Sequence, residues 1–190
     1  MTLPLIAPHR RDTPEFTLRI YQPGDGTALS EAVTESYEHL KPWMPWASPA
    51  QTIEEAEAVC RRLGSEYLGG TNYTLGIWDG DFLLGGTGFH LRCGPIEWKV
   101  AEIGMWIRAS RSGEGLGSRV LAAMLEWGFG EWEWERLVWK CDTKNEASAR
   151  VAEKNGMVRE ATHRSDAVGV DGTRRDTHLY MMLRDEYRAP

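Results

Sequence analysis

The sequence predicts a single α/β domain built around a mixed β-sheet. Short segments with alternating apolar residues are interleaved with stretches in which apolar residues recur at helical spacing. The chain contains no repeated segment and no Gly-, Ser- or Pro-rich run long enough to act as a linker, and its 190 residues suit one domain. We therefore expect residues 1–13 to form an N-terminal tail and residues 14–187 to form one domain.

The predicted strands are short apolar runs, several of them bounded by turn residues. Asp79-Gly80-Asp81 separates two of them and is a hairpin signal, and Val170–Thr173 is a turn between the last two. Seven segments have strand character: 16–21, 73–78, 82–91, 100–107, 136–141, 158–163 and 177–183.

The predicted helices have clear start and stop signals. Thr52 is followed by Glu55 at the spacing of a capping box, and Gly156 stands where a left-handed C-cap ends a helix. Four segments have helical spacing: 28–40, 52–67, 118–129 and 145–155.

Charge and composition exclude several classes of protein. Against 28 acidic residues the chain has 22 Lys and Arg, a net charge of −6, which argues against a broad nucleic-acid or anionic-membrane surface. No apolar run approaches the roughly 18 residues of a spanning helix, and the first residues lack the order of a secretory signal. Cys60, Cys93 and Cys141 are far apart, and the five His residues form no ligand set. We expect free thiols, no metal and a cytoplasmic location.

A glycine-rich turn between a strand and a helix is the most informative motif. Gly113, Gly115 and Gly117 let the backbone curl with N–H groups inward, just before the positive end of a helix dipole. Such a turn can hold a phosphate or diphosphate. It lacks the Lys of an NTPase P-loop, and its GxGxG is one residue short of the dinucleotide fingerprint. From the residues alone, a tight turn that binds nothing remains open.

The segments around this turn match a known family in order. IGMWI (103–107), SGEGLG (112–117), NEAS (145–148) and EKNGM (153–157) resemble the acyl-CoA-binding core of the Gcn5-related N-acetyltransferase (GNAT) superfamily. LKPWMPWA (40–47), together with the stretch around NEAS, is similar to the RimJ/RimL branch, which acetylates serine or alanine of ribosomal proteins.

This resemblance implies a fold and an activity. The fold is a mixed, mostly antiparallel sheet of about seven strands, splayed at the cofactor site, with about four helices. The activity is transfer of an acetyl or other acyl group from its CoA thioester to a primary amine, foremost the N-terminal α-amine of a protein such as a ribosomal protein. A small-molecule amine acceptor and a catalytically idle acyl-CoA-binding protein are the alternatives. The resemblance also allows a homodimer.

The resemblance also implies which residues bind the cofactor. Backbone groups of Met105, Trp106 and Ile107 would pair with the pantetheine arm. The backbone N–H groups of the loop would wrap the diphosphate: Gly113, Glu114, Gly115, Leu116, Gly117 and Ser118. At the start of the loop the family has Gln or Arg where this chain has Ser112, and Arg111 stands one position early. Glu114 must face solvent, because its charge opposes phosphate binding.

Candidate catalytic residues come partly from the resemblance and partly from strand alternation. The family motif places Asn145 against the pantetheine and Ser148 beside the sulfur, where Ser148 would stabilise the leaving thiolate; from spacing alone, Asn145 is a helix N-cap. Alternation puts Glu102 on one face with Gly104 and Trp106, so it is the candidate base if that face lines the acceptor pocket. Otherwise Glu102 is an ordinary solvated carboxylate.

Three further residues are weaker candidates. Asp166 lies near the place where the branch carries a carboxylate, and is the second candidate base. Trp43 and Trp46 lie in a Pro-rich loop that in the family walls the acceptor site, although a loop Trp can equally fill the core. The run Glu131–Glu135 predicts a helix end with alternating faces and no function.

Overall fold

An eight-stranded sheet runs through residues 7–188, the part of the chain that the computed structural model describes. The strand order is β1-β2-β3-β4-β5-β6-β8-β7, and every neighbouring pair is antiparallel except β5 and β6. The strands are β1 Arg10–Asp12, β2 Thr17–Ile20, β3 Tyr73–Asp79, β4 Phe82–His90, β5 Val100–Ile107, β6 Arg136–Asp142, β7 Val158–Val168 and β8 Arg174–Leu183. The predicted mixed, mostly antiparallel sheet is confirmed.

The first strand was not expected from the sequence. Arg10–Asp12 pairs with β2, so the assignment of residues 1–13 to a tail is wrong for these three residues, while residues 1–6 lie outside the described part. The strand is three charged residues at a sheet edge, and such a segment carries no apolar alternation that could have revealed it.

Four α-helices cover the sheet, as predicted. They are α1 Gly26–Leu40, α2 Ile53–Leu68, α3 Leu116–Gly130 and α4 Glu146–Lys154, with 3₁₀ turns at Ile96–Trp98 and Ala109–Arg111. The Thr52–Glu55 capping box is present in both directions. Helix α3 begins two residues earlier than expected, because Gly115 takes a left-handed conformation and acts as its N-cap.

The helices form two layers. Helices α1 and α2 pack on the face that carries Tyr21, Trp78 and Leu83, whereas α3 packs on the opposite face against the larger core. Trp132 and Trp134 are buried in that core and stack at 5.7 Å between ring centroids, while the glutamates of the same run are exposed. The expected alternation of this run is therefore confirmed, and its aromatic residues serve the core.

The sheet opens between its two parallel strands. Pairing of β5 with β6 ends at Glu102 and Val138, although β5 continues to Ile107 and β6 continues to Asp142. Beyond that point β5 pairs only with β4, and β6 pairs only with β8. A wedge-shaped gap, called here the splay, therefore separates residues 103–107 from residues 139–142.

Candidate active site

Backbone groups of β5 line one side of the splay. The N–H of Arg108 donates to Leu84 O of β4 at 2.8 Å, and backbone groups alternate in direction along a strand. The N–H and C=O groups of Ile103, Met105 and Ile107 therefore point into the splay. Those of Trp106 point at β4, so the expectation that Trp106 offers backbone contacts to a ligand there is wrong.

The glycine loop, residues 112–117, lies at the open end of the splay, and its backbone N–H groups are mostly unpaired. Gly113 and Gly115 have φ values of +83° and +77°, a region that other residues rarely adopt. The five consecutive N–H groups of residues 113–117 donate to no acceptor between residues 7 and 188. Successive free N–H groups at a helix N-terminus form an anion-binding concavity, and its length suits a diphosphate.

Other predicted loop residues are engaged within the protein. The N–H of Ser118 donates to Gly115 O at 3.1 Å and its Oγ accepts from Asn155 Nδ2 at 3.0 Å, so its backbone is not a free donor. The N–H of Ser112 likewise donates to Ala109 O at 3.1 Å. These two residues shape the loop, and the diphosphate donors predicted from the sequence reduce to residues 113–117.

The charge of Glu114 is directed away from the concavity. Its exposed carboxylate pairs with Arg111 Nε at 3.2 Å, and the Arg119 side chain donates to Glu114 O at 2.9 Å. Glu114 therefore faces solvent, as expected, and Arg111 offsets its charge.

An ion pair fastens the start of the loop to helix α1. Arg108 is buried, and its Nε donates to Glu35 Oε2 at 2.7 Å, while Glu35 Oε1 accepts from the N–H of Ser110 at 3.2 Å. Ser36 Oγ accepts from the N–H of Ala109 at 2.9 Å. The Arg108 guanidinium and these hydrogen bonds hold the pKa of Glu35 below its usual range. Helix α1 thus fixes the 3₁₀ turn that leads into the glycine loop.

The pair from the NEAS motif lies on the other side of the splay. Asn145 Oδ1 accepts from the N–H of Ser148 at 3.0 Å, so Asn145 is the N-cap of α4. Ser148 Oγ accepts from the indole N–H of Trp139 on β6 at 3.0 Å. The hydroxyl proton of Ser148 and the amide N–H groups of Asn145 remain available to a ligand.

Glu102 is not a solvated carboxylate. It is 6% exposed, and its two oxygens are held by Arg92 Nη1 at 2.7 Å and by Lys140 Nζ at 3.1 Å. It lies at the closed end of the splay, on the face that carries α1 and α2. Each carboxylate oxygen therefore already has a cationic partner.

Asp166 is separated from these groups. It lies on the outer strand β7, with β8 between it and β6, and its partner is His163 Nδ1 at 3.5 Å. The structure brings Glu102, Ser148 and the glycine loop around the splay but leaves Asp166 outside it.

The two loop tryptophans sit over the site, in different ways. Trp46 is half exposed and meets Trp106 edge-on, with ring centroids 5.8 Å apart. The guanidinium of Arg175 lies 5.9 Å from the Trp43 ring, donates to Pro42 O, and pairs with Asp142 Oδ2 at 3.3 Å. Arg175 therefore ties the loop to the end of β6. The loop lies over Trp106 on the α1–α2 face of the sheet and does not fill the core.

Sequence reasoning missed several residues of the site. His90 ends β4 directly opposite Glu102, and its Nδ1 lies 2.8 Å from Asn72 Oδ1. Arg175 and Asp142 were missed as well. No motif marks these residues, because each acts through a contact with a distant part of the chain.

No group of three or more His, Cys, Asp or Glu between residues 7 and 188 is arranged to hold a metal ion. Within the same range, no helix has both the length and the apolar character that a membrane crossing requires.

Comparison with known proteins agrees with this geometry. YdaF of Bacillus subtilis (strain 168) is 28% identical over 177 residues, which are 92% of this chain and 94% of that protein. The ribosomal-protein-serine acetyltransferase of Escherichia coli (strain K12) is 33% identical over 109 residues, 57% of this chain and 59% of that protein. RimL, the ribosomal L7/L12 α-N-protein acetyltransferase solved with coenzyme A, superimposes with a TM-score of 0.81 at 23% identity, covering 92% of this chain and 97% of that chain.

A family model settles the assignment that the glycine loop and the splay indicate. The model described as the acetyltransferase (GNAT) domain matches residues 15–158, about three quarters of the chain. The resemblance inferred from the motifs is thereby confirmed, and this chain belongs to the GNAT family of acetyltransferases.

Proposed function

We propose that this protein transfers an acetyl group from acetyl-CoA to the N-terminal α-amine of a protein, such as a ribosomal protein. The observation that carries the proposal is the run of five unpaired N–H groups, residues 113–117, at the mouth of the splay. A protein of net charge −6 can bind a polyanionic cosubstrate through such backbone donors.

The splay suits the remainder of the cosubstrate. An extended pantetheine arm can pair with the free backbone groups of Met105 and Ile107 as an added strand does. With the diphosphate on the loop, the thioester then lies between β5 and β6, near Ser148. Asn145 would hold the arm through the N–H groups of its side-chain amide. The oxygen of that amide already caps α4.

The chemistry requires one bond to form and one to break. The neutral amine nitrogen attacks the thioester carbonyl carbon, the C–S bond breaks, and the nitrogen loses a proton. Ser148 donates a hydrogen bond to the departing thiolate, which then takes a proton from solvent. An α-amine has a pKa near 8, against about 10.4 for a lysine side chain, so far more of it is neutral at pH 7.

The acceptor side of the site is the α1–α2 face. Trp43 and Trp46 wall it, and Glu102 lies at its inner end in ion pairs with Arg92 and Lys140. The two carboxylates considered as bases from the sequence differ in position: Glu102 lies at the splay in two ion pairs, whereas Asp166 lies on the outer strand β7. The names of the E. coli relative and of RimL support a ribosomal-protein acceptor and hence a cytoplasmic enzyme.

Initial rates on matched acceptors test the proposal. Peptides that begin with a free serine or alanine are compared with the same peptides blocked at the α-amine but carrying an internal lysine, and with free polyamines and amino acids. We expect acetyl-CoA-dependent acetylation only of the unblocked peptides. Activity confined to free small amines would show that the acceptor is a small molecule and not a protein. CoA binding without turnover on any amine would identify a catalytically idle binding protein.

A further inference from the structure

His90 projects over the strand that would hold the thioester. It ends β4, pairs across the strands with Glu102, and lies on the α1–α2 face of the sheet. A Cβ atom added to Gly104 of β5 would lie 2.8 Å from His90 Nε2. The imidazole therefore sits above Gly104, between Glu102 and Trp106 along the strand.

The tautomer of His90 follows from its neighbours. Asn72 Nδ2 donates to the Glu66 carboxylate at 3.1 Å, which orients the amide so that Oδ1 faces the ring. Asn72 Oδ1 lies 2.8 Å from His90 Nδ1 and can only accept a hydrogen bond. The proton of the neutral ring is therefore on Nδ1, and Nε2 carries the lone pair.

The lone pair of Nε2 has no hydrogen-bond partner among residues 7–188. Nε2 lies over Gly104 of β5, the strand that borders the splay. Burial lowers the pKa of His90 to about 4, with a further decrease from Arg92 and an opposing increase from Glu102. The ring is therefore neutral at pH 7.

We propose that His90 is a catalytic base, whose Nε2 takes the proton from the attacking amine as the C–N bond forms. The inference rests on the proposed function. The nitrogen of the acceptor bonds to the carbonyl carbon, the C–S electrons leave with sulfur, and the amine proton moves to Nε2. The imidazolium then releases this proton to solvent, while the thiolate is protonated from solvent, so the overall reaction needs no further reactant.

One neighbour favours a transient imidazolium, against the burial and the Arg92 charge that lower the pKa of the ring. Glu102 stands directly opposite His90, and its negative charge raises that pKa. Asn72 and Glu66 stabilise the Nδ1–H side. In this arrangement Glu102 acts as a positioning residue, and His90 is the group that meets the amine.

Substitutions that preserve volume test the role of His90. His90→Gln removes the basic nitrogen, and we expect kcat to fall by about a hundredfold or more, with acetyl-CoA affinity unchanged. His9→Gln, an exposed histidine on the N-terminal segment, is the control and keeps full activity. His90→Ala should regain activity when imidazole is added, which a purely structural role would not give.

A double-mutant cycle tests whether Asn72 acts by orienting the His90 ring. Asn72→Ala should lower kcat in the native background but have no further effect in the His90→Gln background, because the ring that it orients is then gone. His90→Gln with kcat within about threefold of the native enzyme would overturn the proposal. A native enzyme that acetylates no amine would instead refute the proposed function, so the two failures are distinguishable.

Discussion

The indole N–H of Trp139 donates to the hydroxyl oxygen of Ser148 at 3.0 Å, joining β6 to α4 beside the splay. The hydroxyl oxygen accepts this bond, so its proton is free to donate to a ligand. The helix cap uses a different atom of the same residue, the backbone N–H that donates to Asn145. Capping of the helix therefore leaves the hydroxyl proton of Ser148 unused.

Two variants distinguish the role of the Ser148 hydroxyl from that of the indole that binds it. Ser148→Ala removes the donor to the leaving thiolate, and we expect kcat to fall about tenfold or more with acetyl-CoA affinity nearly unchanged. Trp139→Phe loses the same hydrogen bond but keeps the hydroxyl, so its kcat should fall less. Steady-state kinetics measure both, and an equal loss in the two variants would show that the hydroxyl serves only the packing of α4.

The link between Arg175 and the tryptophan loop gives a second prediction. Arg175→Met keeps the length of the side chain but releases Pro42 and Asp142, so the loop that covers the acceptor side is freed. We expect a higher KM for the peptide acceptor and an unchanged Kd for acetyl-CoA. The exposed neighbour Arg174, changed to Met, is the matched control, and a selective loss of acetyl-CoA affinity would contradict this assignment.

The ion pair between Glu35 and Arg108 gives a third prediction. Glu35→Gln weakens the partner of a buried guanidinium, which costs about 1–3 kcal/mol of unfolding free energy. Because Glu35 also holds the N–H of Ser110, the turn before the glycine loop loosens and acetyl-CoA binds more weakly. Urea unfolding and calorimetry measure the two effects. Glu31→Gln, an exposed position one turn earlier on α1, should change neither.

The low pKa of His90 has a consequence for stability. In the unfolded chain histidine titrates near 6.5, whereas the folded value is about 4. Between these pH values the unfolded chain binds more protons than the folded protein, so the free energy of unfolding rises with pH. The contribution of His90 to this rise is complete above pH 6.5. The total is on the order of 3 kcal/mol.

Comparison with His90→Gln isolates this contribution from the carboxylates that titrate in the same range. The native protein should lose more stability than the variant when the pH falls from 7 towards 4, as measured by urea unfolding. If the free energy of unfolding changes with pH in the same way in both proteins, His90 is as free to protonate in the folded state as in the unfolded chain.

Local patterns in the sequence account for the fold well. The Thr52–Glu55 capping box, the Gly80 hairpin and the left-handed Gly156 are all set by neighbouring residues, and the structure has each of them. The strand Arg10–Asp12 could not be predicted, because a short polar edge strand is specified by its partner strand and not by its own alternation.

The site was less predictable, because its chemistry depends on contacts between distant residues. Glu102 stands on the expected strand face, but its ion pairs with Arg92 and Lys140 could not be read from the alternation of the strand. His90 has no motif, and its role follows only from Asn72, which holds one side of the ring, and from Gly104, which leaves space on the other. Such relationships exist only once the sheet has formed.

Calorimetric titration of acetyl-CoA into the native protein and into Gly115→Trp tests whether the glycine loop holds the cosubstrate. Gly80→Trp, at another left-handed glycine in the β3–β4 hairpin where nothing lies within 4 Å of an added Cβ, is the control for the strain and for the added ring. We expect native protein and Gly80→Trp to bind acetyl-CoA and Gly115→Trp not to bind it. Equal binding by Gly115→Trp would show that the free N–H groups of residues 113–117 are not the diphosphate site.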